Sequence, residues 1–217
     1  MDKKLEQYRD LLLEWNEHVN LTAITDPEEI RIKHFEDSLT CLKTDLFTSG
    51  VKVIDVGTGA GFPGLPLAMA RPDISVTLLD SLKKRLLFLD EVIRQTDTKN
   101  AVTVHARAED GGRDKKLREQ FDIVVSRAVS RLSVLCEYTL PYLKVGGTLI
   151  AMKGPSAEEE LAEAKNAISV LGGGTVTLQK TALEDESLSH CLVLIKKVRP
   201  TPTTYPRKAG TPTKNPL

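Results

Sequence analysis

VKVIDVGTGAGFPGLPLAMA, residues 51–70, decides the fold that we expect for this chain. The stretch begins with a short apolar run, typical of a buried β-strand, and ends in apolar residues compatible with a helix. Residues 57–64 between them contain four glycines. Such a density at the end of a strand indicates a sharp turn or a ligand very close to the backbone. The stretch therefore predicts a strand, a ligand-binding turn and a helix.

The same alternation continues along the chain and predicts an α/β fold. Strands are expected at 51–57, 75–80, 101–106, 121–128, 146–154, 175–183 and 190–198, and helices at 63–70, 82–96, 113–119, 132–143 and 156–171. Ser156 and Glu159 have the spacing of a capping box at the start of the last helix. Alternating strands and helices form a parallel sheet with helices on both faces, and two strands without a helix between them form a hairpin. We expect a Rossmann-like, mostly parallel sheet of seven strands with an antiparallel pair at its end.

The two ends of the chain differ from this central part. Apolar residues recur at helical spacing over residues 5–19, and Asp26-Pro27 begins a second helical stretch to about residue 43. From Lys196 onward there are six basic residues and no acidic ones, with five prolines after Arg199. We therefore expect an N-terminal helical extension (1–48), a ligand-binding domain (49–198) and an extended, mobile basic arm (199–217).

Composition argues against several classes of protein. Basic and acidic residues balance at 30 each, and the three cysteines and four histidines are scattered, so neither a disulfide framework nor a metal site is expected. No apolar run reaches the length of a membrane span, and MDKKLEQYRD does not have the pattern of a signal peptide. We expect a soluble, cytoplasmic protein with buried thiols, no metal and no membrane association.

The glycine-rich turn raises the question of its ligand. A dinucleotide fingerprint counted from Gly57 requires a small residue where Phe62 stands. The G-x-G-x-x-G that begins at Gly59 includes Pro63, which has no backbone N–H for a phosphate. Asp55, at the end of the strand, would repel a pyrophosphate but suits a cation. These features favour S-adenosylmethionine, which carries a positive sulfonium and no phosphate.

Further polar residues are expected at the same edge of the sheet, because the carboxyl ends of parallel strands meet there. Asp80, with Ser81 beside it, ends the second strand, where a carboxylate accepts both ribose hydroxyls. Ala108-Glu109 follow the third strand near the adenine, and Ser126-Arg127 end the fourth near the methyl group. The expected cofactor site comprises Asp55, Gly57, Gly59, Gly61, Phe62, Asp80, Ser81, Ala108, Glu109 and Arg127.

The motifs taken together resemble one protein family. They are DVGTGAGFPGLPLA (55–68), LLDSLKKRLLFL (78–89), RAE (107–109), VVSRAVS (124–130) and GGTLIAMKG (146–154), with EWNEHVNLTAIT (14–25), KHFEDSL (33–39) and YPRKAGTPTKNPL (205–217) outside the central part. This set is similar to the small-subunit ribosomal RNA guanine-N7 methyltransferases, also called glucose-inhibited division protein B, and it covers nearly the whole chain. The resemblance implies a class I S-adenosylmethionine-dependent methyltransferase that acts on N7 of a single guanine in 16S rRNA.

The resemblance also implies roles for individual residues. It assigns cofactor contacts to Gly57, Phe62, Ala108, Glu109 and Arg127. Guanine N7 has an in-plane lone pair and no proton, so methyl transfer to it needs no general base and depends on alignment. Arg127 is the candidate catalytic residue. It either grips the guanine or a phosphate or forms an ion pair with Glu109 or another carboxylate, and the sequence leaves both open.

Contacts with RNA are expected from the basic arm. Arg207, Lys208 and Lys214 suit a segment that lies on RNA, and we expect its removal to spare cofactor binding. Lys153 is a further candidate for the RNA backbone, with a solvated lysine as the alternative. His34, Glu36 and Asp37 form a polar cluster without an assigned role. The expected partner is 16S rRNA or the small ribosomal subunit, and we expect a monomer.

Three other functions fit the sequence less well. The basic arm argues against a methyltransferase of small molecules, and Asp55 with Phe62 argues against a nicotinamide-dependent oxidoreductase. The intact glycine-rich turn argues against an RNA-binding module without enzymatic activity.

Overall fold

The computed structural model describes residues 2–127, 129–181 and 190–217. The strands are β1 Lys52–Val56, β2 Ser75–Asp80, β3 Ala101–His105, β4 Phe121–Arg127, β5 Leu143–Lys153, β6 Gly173–Thr181 and β7 His190–Lys197. The helices are α1 Lys3–Asn16, α2 Pro27–Ile30, α3 Asp37–Leu39, α4 Gly64–Ala70, α5 Lys83–Gln95, α6 Ala108–Gly111, α7 Leu132–Thr139, α8 Ala157–Glu163, α9 Lys165–Val170 and α10 Thr211–Lys214. A π-helical turn at Arg31–Glu36 joins α2 to α3, and 3₁₀ turns follow at Thr40–Lys43 and Leu140–Tyr142. The predicted strand ends at residue 128 and at residues 182–183 lie outside the described residues.

The strands form one sheet in the order β3-β2-β1-β4-β5-β7-β6. The pairs from β3 to β5 are parallel, whereas β7 runs antiparallel to both β5 and β6. The predicted seven-stranded, mostly parallel sheet with an antiparallel end is thus confirmed. The strand order reverses between β1 and β4, and open α/β sheets bind ligands at the carboxyl ends of strands beside such a reversal.

Both faces of the sheet are buried. Val53 packs in one hydrophobic cluster with α1, α4 and α5, and Ile54 packs in a second cluster with α7 to α9. Neighbouring residues of β1 therefore face opposite layers, which explains why the strand is apolar without alternation. The N-terminal helices contribute Tyr8 and Phe35 to the first cluster, so they share the core of the sheet. The domain boundaries at residues 48 and 198 stay a prediction.

The N-terminal region makes a sharp turn after α1. This helix ends at Asn16, before the predicted end at residue 19, because the Asn16 Oδ1 atom accepts hydrogen bonds from the amides of Leu21 and Thr22 at 2.8 and 3.0 Å. The chain then enters a second helical segment, residues 27–43, through the predicted cap at Asp26. The Asp26 carboxylate accepts from the amides of Glu28 and Glu29 at 3.0 and 2.9 Å.

The helix that we predicted at residues 113–119 is wrong. The helix here is α6, and the charged residues after it form turns. Arg118 donates to the carbonyl oxygens of Gly112, Thr201 and Tyr205 at 2.8–2.9 Å, so its side chain fastens the C-terminal residues. Glu119 adopts a left-handed backbone conformation, with φ of 53°, which a helix cannot contain.

The capping box that we predicted at Ser156 is also wrong. Ser156 precedes α8 but makes no capping bond with its side chain, and its Oγ atom bonds to Glu160 Oε1 at 3.1 Å. The expected single helix is divided at Ala164 into α8 and α9. Glu160 instead accepts from the amide of Leu132, at 2.8 Å, and so holds α8 against the start of α7.

The C-terminal arm does not project from the protein, contrary to our prediction of an extended, mobile segment. Pro206 and Pro212 are buried, and the arm ends in α10. Lys197 is buried just before the arm and donates to the carbonyl of Leu140 at 2.6 Å and to Thr201 Oγ1 at 2.8 Å. Glu119 Oε1 accepts from the amide of Thr201 at 2.9 Å. Hydrogen bonds to backbone carbonyls and amides of the arm thus hold it against the protein. The amino-acid composition of the arm gives no indication of these bonds.

Two further expectations concern thiols and membranes. Cys41, Cys136 and Cys191 are free and buried, as predicted, and burial raises the pKa of Cys136 to about 12. In the described part of the chain, no helix has the length and apolar character needed to cross a membrane.

Removing the Arg118 side chain should release the C-terminal arm. We expect R118A to lower the melting temperature by several degrees, because the arm carbonyls of Thr201 and Tyr205 lose a charged donor. A hydrogen bond to a charged group contributes about 1.5–3 kcal/mol. Limited proteolysis should then cut within residues 199–217 first. K115A, at a nearby exposed lysine, is the matched control. An unchanged melting temperature together with an unchanged cleavage pattern would contradict this role.

Candidate active site

A single carboxylate oxygen holds the two ends of the glycine-rich turn together. Asp55 Oδ2 accepts from Thr58 Oγ1 at 2.7 Å and from the amide of Gly64 at 2.8 Å. The side chain is fully buried, and its Oδ1 atom has no hydrogen-bond partner in the described structure. Burial raises the pKa of Asp55 to about 6, although the bonds from Thr58 and Gly64 oppose this shift. Asp55 therefore shapes the turn from within the core, and its predicted contact with the cofactor stays a prediction.

The glycines of the turn have different tasks. Gly57 and Gly59 have φ of +75° and +60°, and a Cβ on Gly59 would meet nothing within 4 Å, which leaves open space at its outer side. A Cβ on Gly61 would instead lie 2.3 Å from the Tyr8 hydroxyl. Gly61 thus permits close packing of α1, whose Tyr8 hydroxyl donates to the carbonyl of Ala60. Gly61 does not line the cavity described below, and its predicted contact with a ligand stays a prediction.

A cavity of about 640 Å³ opens above the turn at the carboxyl ends of β1, β2 and β3. This volume is ordinary for a small-molecule site. The cavity is lined by eight of the ten predicted cofactor residues, namely Gly57, Gly59, Phe62, Asp80, Ser81, Ala108, Glu109 and Arg127. Leu21, Thr22 and Tyr138 also line it, and no signal in their local sequence indicated this role.

Asp80 is arranged to accept hydrogen bonds from a ligand in this cavity. Its Oδ2 atom accepts from the amide of Gly59 at 2.9 Å, and Oδ1 accepts from the amide of Leu82 at 2.8 Å. Each carboxylate oxygen has two lone pairs, so acceptor capacity remains for hydroxyl groups such as those of a ribose. Arg85 Nη1 lies 3.5 Å from the Asp80 Oδ2 atom. Together with the open space at Gly59, this chemistry fits S-adenosylmethionine.

The C-terminal arm reaches the wall of the same cavity. Glu109 is buried, and its Oε1 atom accepts from the amide of Gly210 at 3.0 Å. The hydroxyl of Tyr138, another lining residue, bonds to Thr213 Oγ1 at 2.9 Å. Because the arm fixes two lining side chains, our expectation that it can be removed without affecting cofactor binding does not fit the structure.

A second cavity, of about 590 Å³, lies beside the first. Three residues line both cavities, His34, Arg127 and Val129, so the boundary between them is formed there. The far side of the second cavity includes Lys153 and Glu160. Two adjoining spaces with a shared wall can hold two reactants in contact.

Arg127 forms the polar part of this boundary. Its guanidinium lies over the ring of Phe62, 5.0 Å from the centroid, and its side chain is 16% exposed. The Nη1 atom donates to the carbonyl of Lys33 at 2.9 Å and to Asp37 Oδ2 at 3.0 Å. Of the two alternatives left open by the sequence, an ion pair exists, but its carboxylate is Asp37 and not Glu109.

Two members of the polar cluster without an assigned role, His34 and Asp37, thus belong to the site, whereas Glu36 pairs with Arg31. The His34 ring stacks on Phe62 with centroids 4.6 Å apart, and its Nδ1 atom is 3.2 Å from Arg127 Nη2. Burial, and next the positive charge of Arg127, lower the pKa of His34 to about 4, so its ring is neutral at pH 7. His190, at the start of β7, bonds to Asp37 Oδ1 at 2.8 Å, which raises the pKa of His190. Sequence reasoning missed His190 altogether.

Two residues predicted to contact RNA, Lys153 and Arg207, already have partners within the protein, and their contacts with RNA stay predictions. Lys153 is buried and is therefore not the solvated lysine of our alternative; it pairs with Glu160 at 2.7 Å and donates to the carbonyl of Ser130 at 2.5 Å. Arg207 pairs with the buried Glu137 at 2.7 Å and fastens the arm to α7. Lys208 and Lys214 are exposed on the arm, as a contact with RNA requires. Within residues 2–127, 129–181 and 190–217, no group of three or more histidine, cysteine or carboxylate side chains could hold a metal ion.

Comparison with known proteins gives one family over most of the chain. Residues 1–189 match the family model of GidB, described as rRNA small subunit methyltransferase G. A curated protein of Clostridium perfringens, named ribosomal RNA small subunit methyltransferase G, is 54% identical over 215 residues, which are 99% of this chain and 90% of that protein. A protein of the same name from Desulforamulus reducens is 52% identical over 212 residues, covering 98% of this chain and 88% of that protein.

Solved structures with the same fold are more distant in sequence. An S-adenosylmethionine-dependent methyltransferase from Aquifex aeolicus aligns with 78% of this chain and 93% of its own, at a TM-score of 0.57 and 19% identity. The TYW2 protein of M. jannaschii, in complex with S-adenosylmethionine, aligns with 75% of this chain and 77% of its own, at a TM-score of 0.56 and 18% identity. At these identities the likeness concerns the fold.

The buried carboxyl of Asp55 should make stability depend on pH. Its pKa of about 6 lies above the ordinary value of 3.8, so the folded state binds the proton more tightly than the unfolded state. The contribution to stability is therefore complete below about pH 4 and is lost as the pH rises through 6, by about 3 kcal/mol for two pKa units.

The variant D55N keeps an oxygen for Thr58 and Gly64 and cannot ionise. We expect urea unfolding to show that D55N gains stability relative to the unmodified chain as the pH rises from 4 to 7. D45N, at an exposed aspartate, should show no such gain. A difference between D55N and the unmodified chain that stays constant over this range would refute the assignment.

Proposed function

We propose a target atom and a mechanism for this chain, which belongs to the GidB family, the rRNA small subunit methyltransferases G. The chain is an S-adenosylmethionine-dependent rRNA methyltransferase. We propose that it methylates N7 of a single guanine in 16S rRNA, within the small subunit or its RNA, and that it acts as a monomer.

The observation that supports this proposal is the pair of cavities that share Arg127. In our proposal S-adenosylmethionine binds in the cavity above the glycine-rich turn and the guanine enters the second one. Gly57 and Gly59 let the cofactor approach the backbone, and Asp80 accepts hydrogen bonds from the ribose hydroxyl groups. Ser81, Phe62, Ala108 and Glu109 border the same ligand. Arg127 and His34, which line both cavities, would then border the methyl group and its acceptor.

The chain's own residues fit a reaction without a general base. S-adenosylmethionine supplies an electrophilic methyl group on its sulfonium. Guanine N7 presents a lone pair and carries no proton, so no side chain has to remove one. Among the titratable groups that line the second cavity, His34 is neutral with a pKa of about 4, and Asp37 and Glu160 are both in ion pairs. His190 also lines it, and its Nδ1 atom is bonded to Asp37 Oδ1 at 2.8 Å. The reaction then depends on alignment of the donor and acceptor, which supplies several kcal/mol.

Arg127 is the residue that we propose for this alignment. Guanine O6 and N7 lie on one edge, and an arginine recognises this edge with two parallel donors. The guanidinium is held at the boundary by Lys33 and Asp37, and Asp37 also balances its charge. An exposed position on the arm makes Lys208 and Lys214 our candidates for RNA phosphates.

Identification of the modified base tests the proposed function. The full chain is incubated with tritium-labelled S-adenosylmethionine and unmethylated small ribosomal subunits, and in parallel with naked 16S rRNA. After nuclease digestion we expect the label in 7-methylguanosine, at one equivalent or less for each rRNA. Borohydride and aniline, which cleave RNA at this base, should give one cut. Label in 5-methylcytidine or in a base methylated on its exocyclic amine would overturn the N7 assignment.

The role of the glycine-rich turn is tested with a matched pair of glycine variants. Gly59 and Gly50 both have positive φ, at +60° and +81°, and a Cβ at either would meet nothing within 4 Å. Only Gly59 lines the cavity. We expect calorimetry to show at least about tenfold weaker binding of S-adenosylmethionine to G59A, about 1.4 kcal/mol, and ordinary binding to G50A. Equal affinities of both variants would remove the cofactor from this turn.

A further inference from the structure

We propose that His34 and Asp37, from the second helical segment, are positioning residues that hold the Arg127 guanidinium in the orientation required for methyl transfer. The inference rests on the proposed function only in placing the acceptor base at Arg127. It gives the N-terminal region a part in the reaction, although neither residue belongs to the glycine-rich turn or to the strand ends beside it.

The second helical segment supplies three acceptors to one guanidinium. These are the carbonyl of Lys33, the carboxylate of Asp37 and the Nδ1 atom of His34, at 2.9, 3.0 and 3.2 Å. They come from residues 90 to 94 positions before Arg127 in the chain, so they act between separate elements. Arginine has five N–H groups. Among residues 2–127, 129–181 and 190–217 the guanidinium has no further hydrogen-bond partner, which leaves Nε and part of Nη2 for a ligand.

The π-helical turn explains how one short segment presents these acceptors. In an α-helix the amide of Asp37 would bond to the carbonyl of Lys33. Here it bonds to the carbonyls of Ile32 and His34 instead, and the carbonyl of Lys33 accepts from Arg127. Such π-helical turns are rare and occur frequently at functional sites.

The position of the imidazole proton decides whether His34 accepts from Arg127. The Nδ1 atom lies 3.2 Å from Arg127 Nη2 and 3.1 Å from the carbonyl of Lys33, and our proposal places the lone pair on Nδ1, toward the guanidinium, and the proton on Nε2. The Nε2 atom is 2.8 Å from Thr22 Oγ1, which accepts this proton. A neutral His34 thus connects Arg127 with the loop after α1, part of which lines the first cavity. The low pKa of His34 agrees with this state.

Asp37 divides its two carboxylate oxygens between two partners. Oδ2 accepts from Arg127, and Oδ1 accepts from His190 on the opposite side. The Asp37 side chain is 1% exposed, so the orientation of Arg127 depends on a carboxylate that cannot turn toward solvent. The second cavity is lined by Asp37 and His190 as well as by Arg127. A displacement of about 1 Å at such a group can reduce a rate by about a hundredfold.

Two conservative substitutions separate the two bonds of His34. In H34N the side-chain oxygen can take the place of Nδ1 and accept from Arg127, whereas in H34Q the amide nitrogen can take the place of Nε2 and donate to Thr22. We expect kcat of H34N to exceed that of H34Q by about tenfold, with small ribosomal subunits as substrate. H18N and H18Q, at an exposed histidine of the same region, serve as controls. Equal kcat values for H34N and H34Q would overturn the role of His34.

The variant D37N tests the carboxylate. We expect kcat to fall by at least about tenfold, while the KM for S-adenosylmethionine and calorimetric binding of S-adenosylhomocysteine change less than about threefold. D45N is the control at an exposed aspartate. A purely structural role would instead lower the melting temperature and the fraction of protein that binds S-adenosylhomocysteine, with an unchanged kcat for each binding-competent molecule. That result would overturn the role of Asp37.

These outcomes are distinguishable from a failure of the proposed function. The rates are measured as methyl incorporation, whatever base receives the label, and R127A is included in the same series. If R127A keeps the full kcat, the alignment role that we proposed for Arg127 fails. If the product is not 7-methylguanosine but the His34 and Asp37 variants behave as expected, the target atom fails and the positioning role stands.

Discussion

The structure of the binding region depends on one hydrogen-bond acceptor, the Oδ2 atom of Asp55. It fastens Thr58 and Gly64, at the two ends of the glycine-rich turn, to the strand that precedes them. The arrangement places a carboxyl group in the core, where its second oxygen has no partner. A buried, half-satisfied carboxylate is unfavourable for stability. Its retention at this place is understandable if the shape of the turn, with Gly57 and Gly59 facing a cavity, is what it secures.

Several further charged pairs surround the two cavities. Arg127 with Asp37, Lys153 with Glu160 and Arg207 with Glu137 each include at least one side chain that is about nine-tenths buried or more. Buried pairs of this kind add little net stability, because desolvation offsets much of their attraction, but removing one partner leaves a costly isolated charge. They therefore specify which elements lie together. Two of these pairs fix pieces remote in sequence, the second helical segment and the C-terminal arm, at the edges of the site.

Periodicity and glycine spacing predicted the sheet, its antiparallel end and most of the first cavity, because these features follow from residues close together in the sequence. The sequence placed Asp55 at the correct strand end, but it did not predict the two hydrogen bonds of its carboxylate. Only the folded turn brings Thr58 and Gly64 to this side chain. Lys153 and Arg207 look like solvent-exposed cations in the sequence, and their buried partners cannot be identified there. Nothing in the local sequence indicates the contacts of Arg127 with Lys33, His34 and Asp37 either. These contacts join β4 to the π-helical turn and the residue that follows it.

The anchoring of the C-terminal arm has a consequence for folding of the chain during its synthesis. A chain is synthesised from its N-terminus, and its early parts fold first. The sheet strands are complete at Lys197, but Glu109 and Tyr138 receive their partners only from Gly210 and Thr213. We therefore expect a nascent chain to form its core before it has a finished binding pocket. Products that terminate before Gly210 would then fold without a finished binding pocket.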